Sequence, residues 1–236
     1  MVDGIEKEEA ARSKNDNTEL HKYAGTWVIK SYIDALKSSK SPYNSFAHLK
    51  DINSLLLRPS ANGEAINVTV VYNSEATNAT MSKLNGEFYI VFEENGQSVK
   101  STVAVTDESL SFDYHNKHYE FAKISNQLSD DGLGLSEITN KILFENKMFH
   151  TADNPSRDIS FQLNGVVKNF LNYTNYEVIT YFETDPDPVD KIKLKTNKHE
   201  IEIFHFVFNK KQLLLYKIIE SDDRENTVEL VHALSF

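Results

Sequence analysis

Two histidines and a tyrosine near the C-terminal end, His205, Tyr216 and His232, have the types and spacing in this chain that best suit chemistry. Imidazole gains or loses a proton near neutral pH, and a phenol donates a hydrogen bond. On an apolar wall the three can orient a carboxylate or carbonyl, ligate a metal or move a proton. Strand parity brings them together. In 199–208, Glu200 and Glu202 mark an outward face, leaving Ile201, Ile203, His205 and Val207 inward. In 212–219, Lys217 marks the outward side and Tyr216 points inward. A two-residue turn at Lys210-Lys211 then sets His205 opposite Tyr216. In 226–236, Glu229 points out and His232 in, beside Leu214 or Tyr216. Such a cluster is a ligand contact, a satisfied polar network in a core, or a metal or catalytic centre. The opposite phase is also open. Phe204, Phe206 and Phe208 make the other face equally apolar, and left outward they need a helix, a protein partner or a second copy as cover.

The elements that must hold these residues read as a run of strands. A strand over 24–34 alternates Trp27, Ile29, Ser31 and Ile33 on one face. Ser41-Pro42 starts a short helix over 42–50, with Phe46 and Leu49 on its apolar side, as a lid or a fixed plug at a barrel mouth. Further strands fall near 53–58, 64–73, 86–93, 98–106, 109–114 and 117–124. Ala61-Asn62-Gly63, Asn85-Gly86, Asn95-Gly96 and His115-Asn116-Lys117 mark turns between them. After a loop at Ser129-Asp130-Asp131-Gly132, Leu135, Ile138 and Ile142 suggest a second short helix. Strands resume near 158–166, 175–184, 189–196, 199–208, 212–219 and 226–236, with Asp185-Pro186-Asp187-Pro188 as a firm turn. Close spacing with few helices implies an all-β antiparallel meander of about 10–12 strands closing into a barrel. The expected organisation is a flexible polar arm over 1–19 and one barrel domain over 20–236.

Gly25-Thr26-Trp27 opens the first strand and holds the only tryptophan of the chain. This motif, with the meander behind it, resembles the lipocalin and calycin families. The resemblance implies a cup for a small hydrophobic molecule, usually without catalysis, in which the glycine lets the chain into the barrel base and Trp27 plugs it. A basic residue late in such barrels packs on the tryptophan, a role open here to Arg224 or Lys217.

Composition narrows the function. The net charge of −10 argues against nucleic acid or an anionic membrane as main partner. No cysteine is present, which excludes disulfides, cysteine nucleophiles and thiolate metal sites. No run of 18 apolar residues occurs, so no integral membrane segment is expected. Met1 to Thr18 lacks the apolar segment of a signal peptide. The compartment stays open between an exported or cell-envelope protein after signal removal and a cytoplasmic one. His115 and His118 read as an exposed hairpin pair. Asp185, Asp187 and Asp190 read as a solvated turn, since Pro186 and Pro188 break any calcium loop. No nucleotide-binding or hydrolase motif occurs, and neither a metal nor a cofactor is expected. The leading expectation is a non-catalytic binder of a lipid or other hydrophobic small molecule inside the barrel. Trp27 would seal it, Phe46 and Leu49 would shape the mouth, and His205, Tyr216 and His232 would supply polar contacts. The alternatives are a structural or protein-interaction barrel with a filled core, and a haem-binding or enzymatic calycin-like barrel.

Overall fold

A computed structural model describes residues 20–60, 65–72, 75–127, 134–182, 189–219 and 227–236. The expected polar arm lies outside them. So do the Ala61-Asn62-Gly63 turn, the loop at 129–132, Asp185 to Pro188, and Arg224. The chain divides into two compact units, one drawn from Met1–Ser31 and Leu49–Gly134, the other from Tyr32–His48 and Leu135–Phe236.

Among the described residues of the first unit, eight antiparallel strands close into a barrel: β1 (Gly25–Ile29), β2 (Ile52–Pro59), β3 (Ile66–Tyr72), β4 (Glu75–Leu84), β5 (Glu87–Glu94), β6 (Gln97–Val105), β7 (Ser109–Tyr114) and β8 (Lys117–Ser125). Each strand pairs with the next, and β8 returns to β1 with Ile29 opposite Phe121. The barrel therefore closes after eight strands rather than ten to twelve. Closure uses up both free edges, so later strands cannot join it. Three two-residue turns hold the hairpins. Asn85-Gly86, Asn95-Gly96 and His115-Asn116 all have positive φ at both positions, the geometry that matches strand twist. Strand β4 is absent from the expected set because Glu75 to Leu84 offers small and polar residues, Thr77 and Ala79 among them, where alternation would show apolar ones. Facing inward are Trp27, Leu55, Val70, Met81, Ile90, Phe112 and Phe121, all buried. Rings fill much of this interior: Phe112 stacks on Tyr119 and on Phe121, each at 5.7 Å between centroids.

The expected strand over 24–34 stops at Ile29, and helix α1 (Lys30–Ser39) follows directly. Tyr32, Ile33 and Leu36, at helical spacing, are its buried face, so the apparent period of two ran into a period of 3.6. Helix α2 (Pro42–Phe46) starts where expected: the Asn44 backbone N–H donates to the Ser41 hydroxyl at 3.0 Å. Helix α3 (Gly134–Phe144) follows the barrel in sequence.

The second unit carries a six-stranded antiparallel sheet. Its strands are β9 (His150–Thr151), β12 (Tyr173–Val178), β13 (Lys191–Thr196), β14 (Ile201–Asn209), β15 (Gln212–Ile219) and β16 (Thr227–Ser235), in the order β12-β13-β14-β15-β16-β9. Two short strands, β10 (Ser160–Phe161) and β11 (Val167–Lys168), pair separately. An aromatic core forms around Phe144, whose ring lies 4.9 Å from Phe161 and 5.1 Å from Tyr176. The Tyr32 and Thr139 hydroxyls share a buried hydrogen bond of 2.9 Å.

Candidate functional site

The barrel has two unlike ends. At one, Gly25 begins β1 with φ +135° beside the Ser125 carbonyl of β8. This close approach admits Trp27, which is fully buried and whose indole N–H donates to the Tyr23 carbonyl oxygen at 3.0 Å. The Lys123 ammonium lies 5.6 Å from the indole centroid and donates to the Lys22 carbonyl oxygen at 2.9 Å. Burial pushes its pKa down. Sequence reasoning missed Lys123 because it took the barrel to run to residue 236 and looked to Arg224 or Lys217. The barrel closes at β8, and Lys123 of that strand is the cation that lies over the indole; Lys217 lies on β15 of the other unit. The signal was present as the lysine two residues after Phe121 on the closing strand.

At the opposite end a cavity of about 390 Å³ opens between the tips of β3, β4, β5 and β7. Phe92 and Tyr114 form its aromatic wall, with centroids 4.1 Å apart. Tyr72, Glu75, Thr77 and Glu94 line it as well. Strand alternation turns these residues inward. Tyr72 continues the buried row of Val68 and Val70, Thr77 continues Ala79 and Met81, and Glu94 follows Ile90 and Phe92. The Tyr72 hydroxyl is pushed up to about 12, first by burial and then by Glu94, Tyr119 and Asp51. His115 Nε2 sits 3.1 Å from the Glu94 carboxylate, while His118 Nδ1 lies 2.7 Å from Asp113. The hairpin histidines thus face separate carboxylates. Among the described residues, no group of three metal-ligating side chains converges.

The C-terminal cluster is split by the sheet. The two-residue turn and the His205–Tyr216 pairing are as expected, with ring centroids 5.6 Å apart. The phase is inverted. Phe204 and Phe206 are buried and Phe208 is half-buried, while Ile201, Ile203 and Val207 are exposed. The three phenylalanines therefore do not form the exposed partner surface expected of them. Glu200 and Glu202 misled because Glu200 lies just before β14 and Glu202 at its start, where even an inward-phased side chain is only half-buried. His232 lies on the other face. The pairing shifts between Leu215 and Tyr216, so Val231 is an extra residue on β16. His232 then faces Leu215 and packs on Phe170 and Phe204, at 5.2 and 6.1 Å between ring centroids. His205, Tyr216 and His232 are thus not one site.

The helix residues are also separated. Phe46 packs on Tyr181 and Phe182, each at 5.7 Å between centroids, all within the second unit. Leu49 belongs to the first unit. The expected pairing of Phe46 and Leu49 on one helix fails because α2 ends at Phe46. Asp190, expected in a solvated turn, accepts the Tyr43 backbone N–H at 2.7 Å, and burial raises its pKa.

The histidines carry one pH prediction. Burial lowers the pKa of both His205 and His232; Lys191 adds to the first effect and Glu202 opposes the second. The folded state therefore prefers neutral imidazole. The stability this gives is present above the ordinary value of about 6.5 and is lost as pH falls through the lower folded values. Urea midpoints should drop between pH 7.5 and pH 5, and a His205→Asn/His232→Asn variant should flatten that drop. An equal drop in the variant would assign the effect to other groups.

Among the described residues, no helix is long and apolar enough to cross a membrane. The chain matches no family model, no curated protein and no solved structure.

Proposed function

We propose that the barrel is a non-catalytic binding module for a hydrophobic small molecule, which enters between Tyr72, Phe92 and Tyr114 and is stopped by the Trp27 end. One observation carries this reading: an eight-stranded barrel with apolar and aromatic inward side chains has a cavity of about 390 Å³ at the end opposite its buried tryptophan. Small-molecule sites are typically concave, of about 300–1,000 Å³, with an apolar lining and a few polar groups. Gly25-Thr26-Trp27 on the first strand and Lys123 over the indole support a lipocalin- or calycin-like reading of the barrel. The polar contacts in this reading come from Tyr72, Glu94 and His115 at the mouth rather than from His205, Tyr216 and His232.

A neutral apolar dye, N-phenyl-1-naphthylamine, tests it. Saturable binding with blue-shifted emission is expected. Thr77 is exposed at the mouth, so Thr77→Trp should narrow the opening without disturbing the core, and should weaken dye binding at least tenfold. Dye binding that is absent, or equal in the Thr77→Trp protein, would overturn the proposal.

A further inference from the structure

The mouth of the barrel is not neutral. The cavity joins an aromatic wall to carboxylates, and the two features have different consequences for what fits there. The wall, Phe92 against Tyr114, accepts any apolar surface. The carboxylates Glu75 and Glu94 discriminate by charge. Both continue inward-facing rows, Glu75 two residues before Thr77 on β4 and Glu94 two residues after Phe92 on β5, so they sit on the lumen side of the rim. Glu75 has no hydrogen-bond or ion-pair partner among the described residues. Glu94 faces His115, an imidazole and not a fixed cation.

The lysines nearby are engaged elsewhere. The Lys117 ammonium pairs with Asp51, and Lys50 donates to the His118 carbonyl oxygen with its ammonium above the Tyr119 ring. The mouth therefore keeps a local negative balance over an aromatic wall. Such a pairing attracts an organic cation, through the ring faces and through the carboxylates together. It repels a carboxylate or sulfonate head group by the same Coulomb term. The Tyr72 hydroxyl is raised first by its burial, and Glu94 and Asp51 add to this by opposing its ionisation.

We propose that the barrel mouth selects amphiphiles with a cationic head group, an alkylamine or quaternary ammonium, holding the charge between Glu75 and Glu94 and the apolar tail against Phe92 and Tyr114. This rests on the binding role proposed for the barrel and names the ligand class for it. It also reverses the preference that imidazoles at the site would have given, which was for acidic or carbonyl-bearing hydrophobes.

Three ten-carbon probes separate head group from tail: decyltrimethylammonium, decanol and decanoate, titrated calorimetrically into the full chain at low salt. The cationic probe should bind at least tenfold more tightly than decanol, and decanoate more weakly than either. A Glu75→Gln/Glu94→Gln variant should lose at least fivefold in the ratio of cation affinity to decanol affinity. Equal binding of the three probes, or a cation affinity that survives in the variant, would overturn the head-group selection while leaving the barrel as a binding module. Binding of none of the three would overturn both. The substituted carboxylates lie on the rim and not in the core, and an unchanged far-ultraviolet circular dichroism spectrum and urea midpoint check that the variant is folded.

Discussion

Trp27→Ala is expected to cost the barrel about 3–5 kcal/mol, the usual range for removing a large buried aromatic side chain. Three separate contacts go with the ring. Its surface is wholly buried among inward-facing side chains, its N–H satisfies the Tyr23 carbonyl, and its face lies under the Lys123 ammonium. The last contact makes the loss worse than cavity formation alone. Lys123 is already partly desolvated, and without the indole its charge is left with the Lys22 carbonyl and the more distant Asp107 carboxylate. Trp27→Phe separates the parts. It keeps most of the apolar volume and gives up the N–H donor, so it should cost much less than the alanine change. Urea unfolding followed by circular dichroism measures both. A loss below about 1 kcal/mol for Trp27→Ala would mean that the ring does not plug the barrel.

Where sequence and structure agree, the residues in question carry backbone requirements. Asn85-Gly86, Asn95-Gly96 and His115-Asn116 sit at turns that need two positive φ angles, and Ser41-Pro42 starts α2, because few residue types meet those demands. Legibility fails where two periods overlap. Ile29 and Ile33 fit both a strand and a helix, and Tyr32 and Leu36 separate them in favour of α1. It fails again at closure. Nothing local in Lys117 to Ser125 says that this strand pairs with β1, because closure is a long-range event between residues about a hundred positions apart.

The candidate site was less legible than the fold for a related reason. Parity arguments hold along one strand and across one tight turn, and the His205–Tyr216 pair follows from them. They do not survive a bulge. One extra residue at Val231 sends His232 through the sheet to the aromatic core. The mouth residues went unnoticed because each is ordinary alone. Tyr72, Glu75, Glu94 and Tyr114 lie on four different strands, and only the closed barrel turns them toward one opening.

Gly25→Ala should be nearly as damaging as the loss of the tryptophan, although it adds a single methyl group. A Cβ at this position would stand 2.2 Å from the Ser125 carbonyl oxygen and 3.0 Å from the Lys123 side chain. The first atom is backbone on the closing strand, so the collision is relieved only by moving β1 away from β8, where the barrel seals. The φ of +135° adds its own penalty, of order 1–3 kcal/mol for a residue that carries a side chain. A total loss of about 3 kcal/mol or more is therefore expected. Gly86→Ala is the control: its φ is also positive, at +86°, but no atom lies within 4 Å of the added Cβ. That change should cost only the backbone strain, about 1 kcal/mol. Trp27, the only tryptophan, reports on this end directly, so its fluorescence should show Gly25→Ala unfolding at lower urea and with a solvent-shifted native emission. Equal midpoints for the two glycine variants would mean that the approach of Ser125 to Gly25 does not hold the barrel closed.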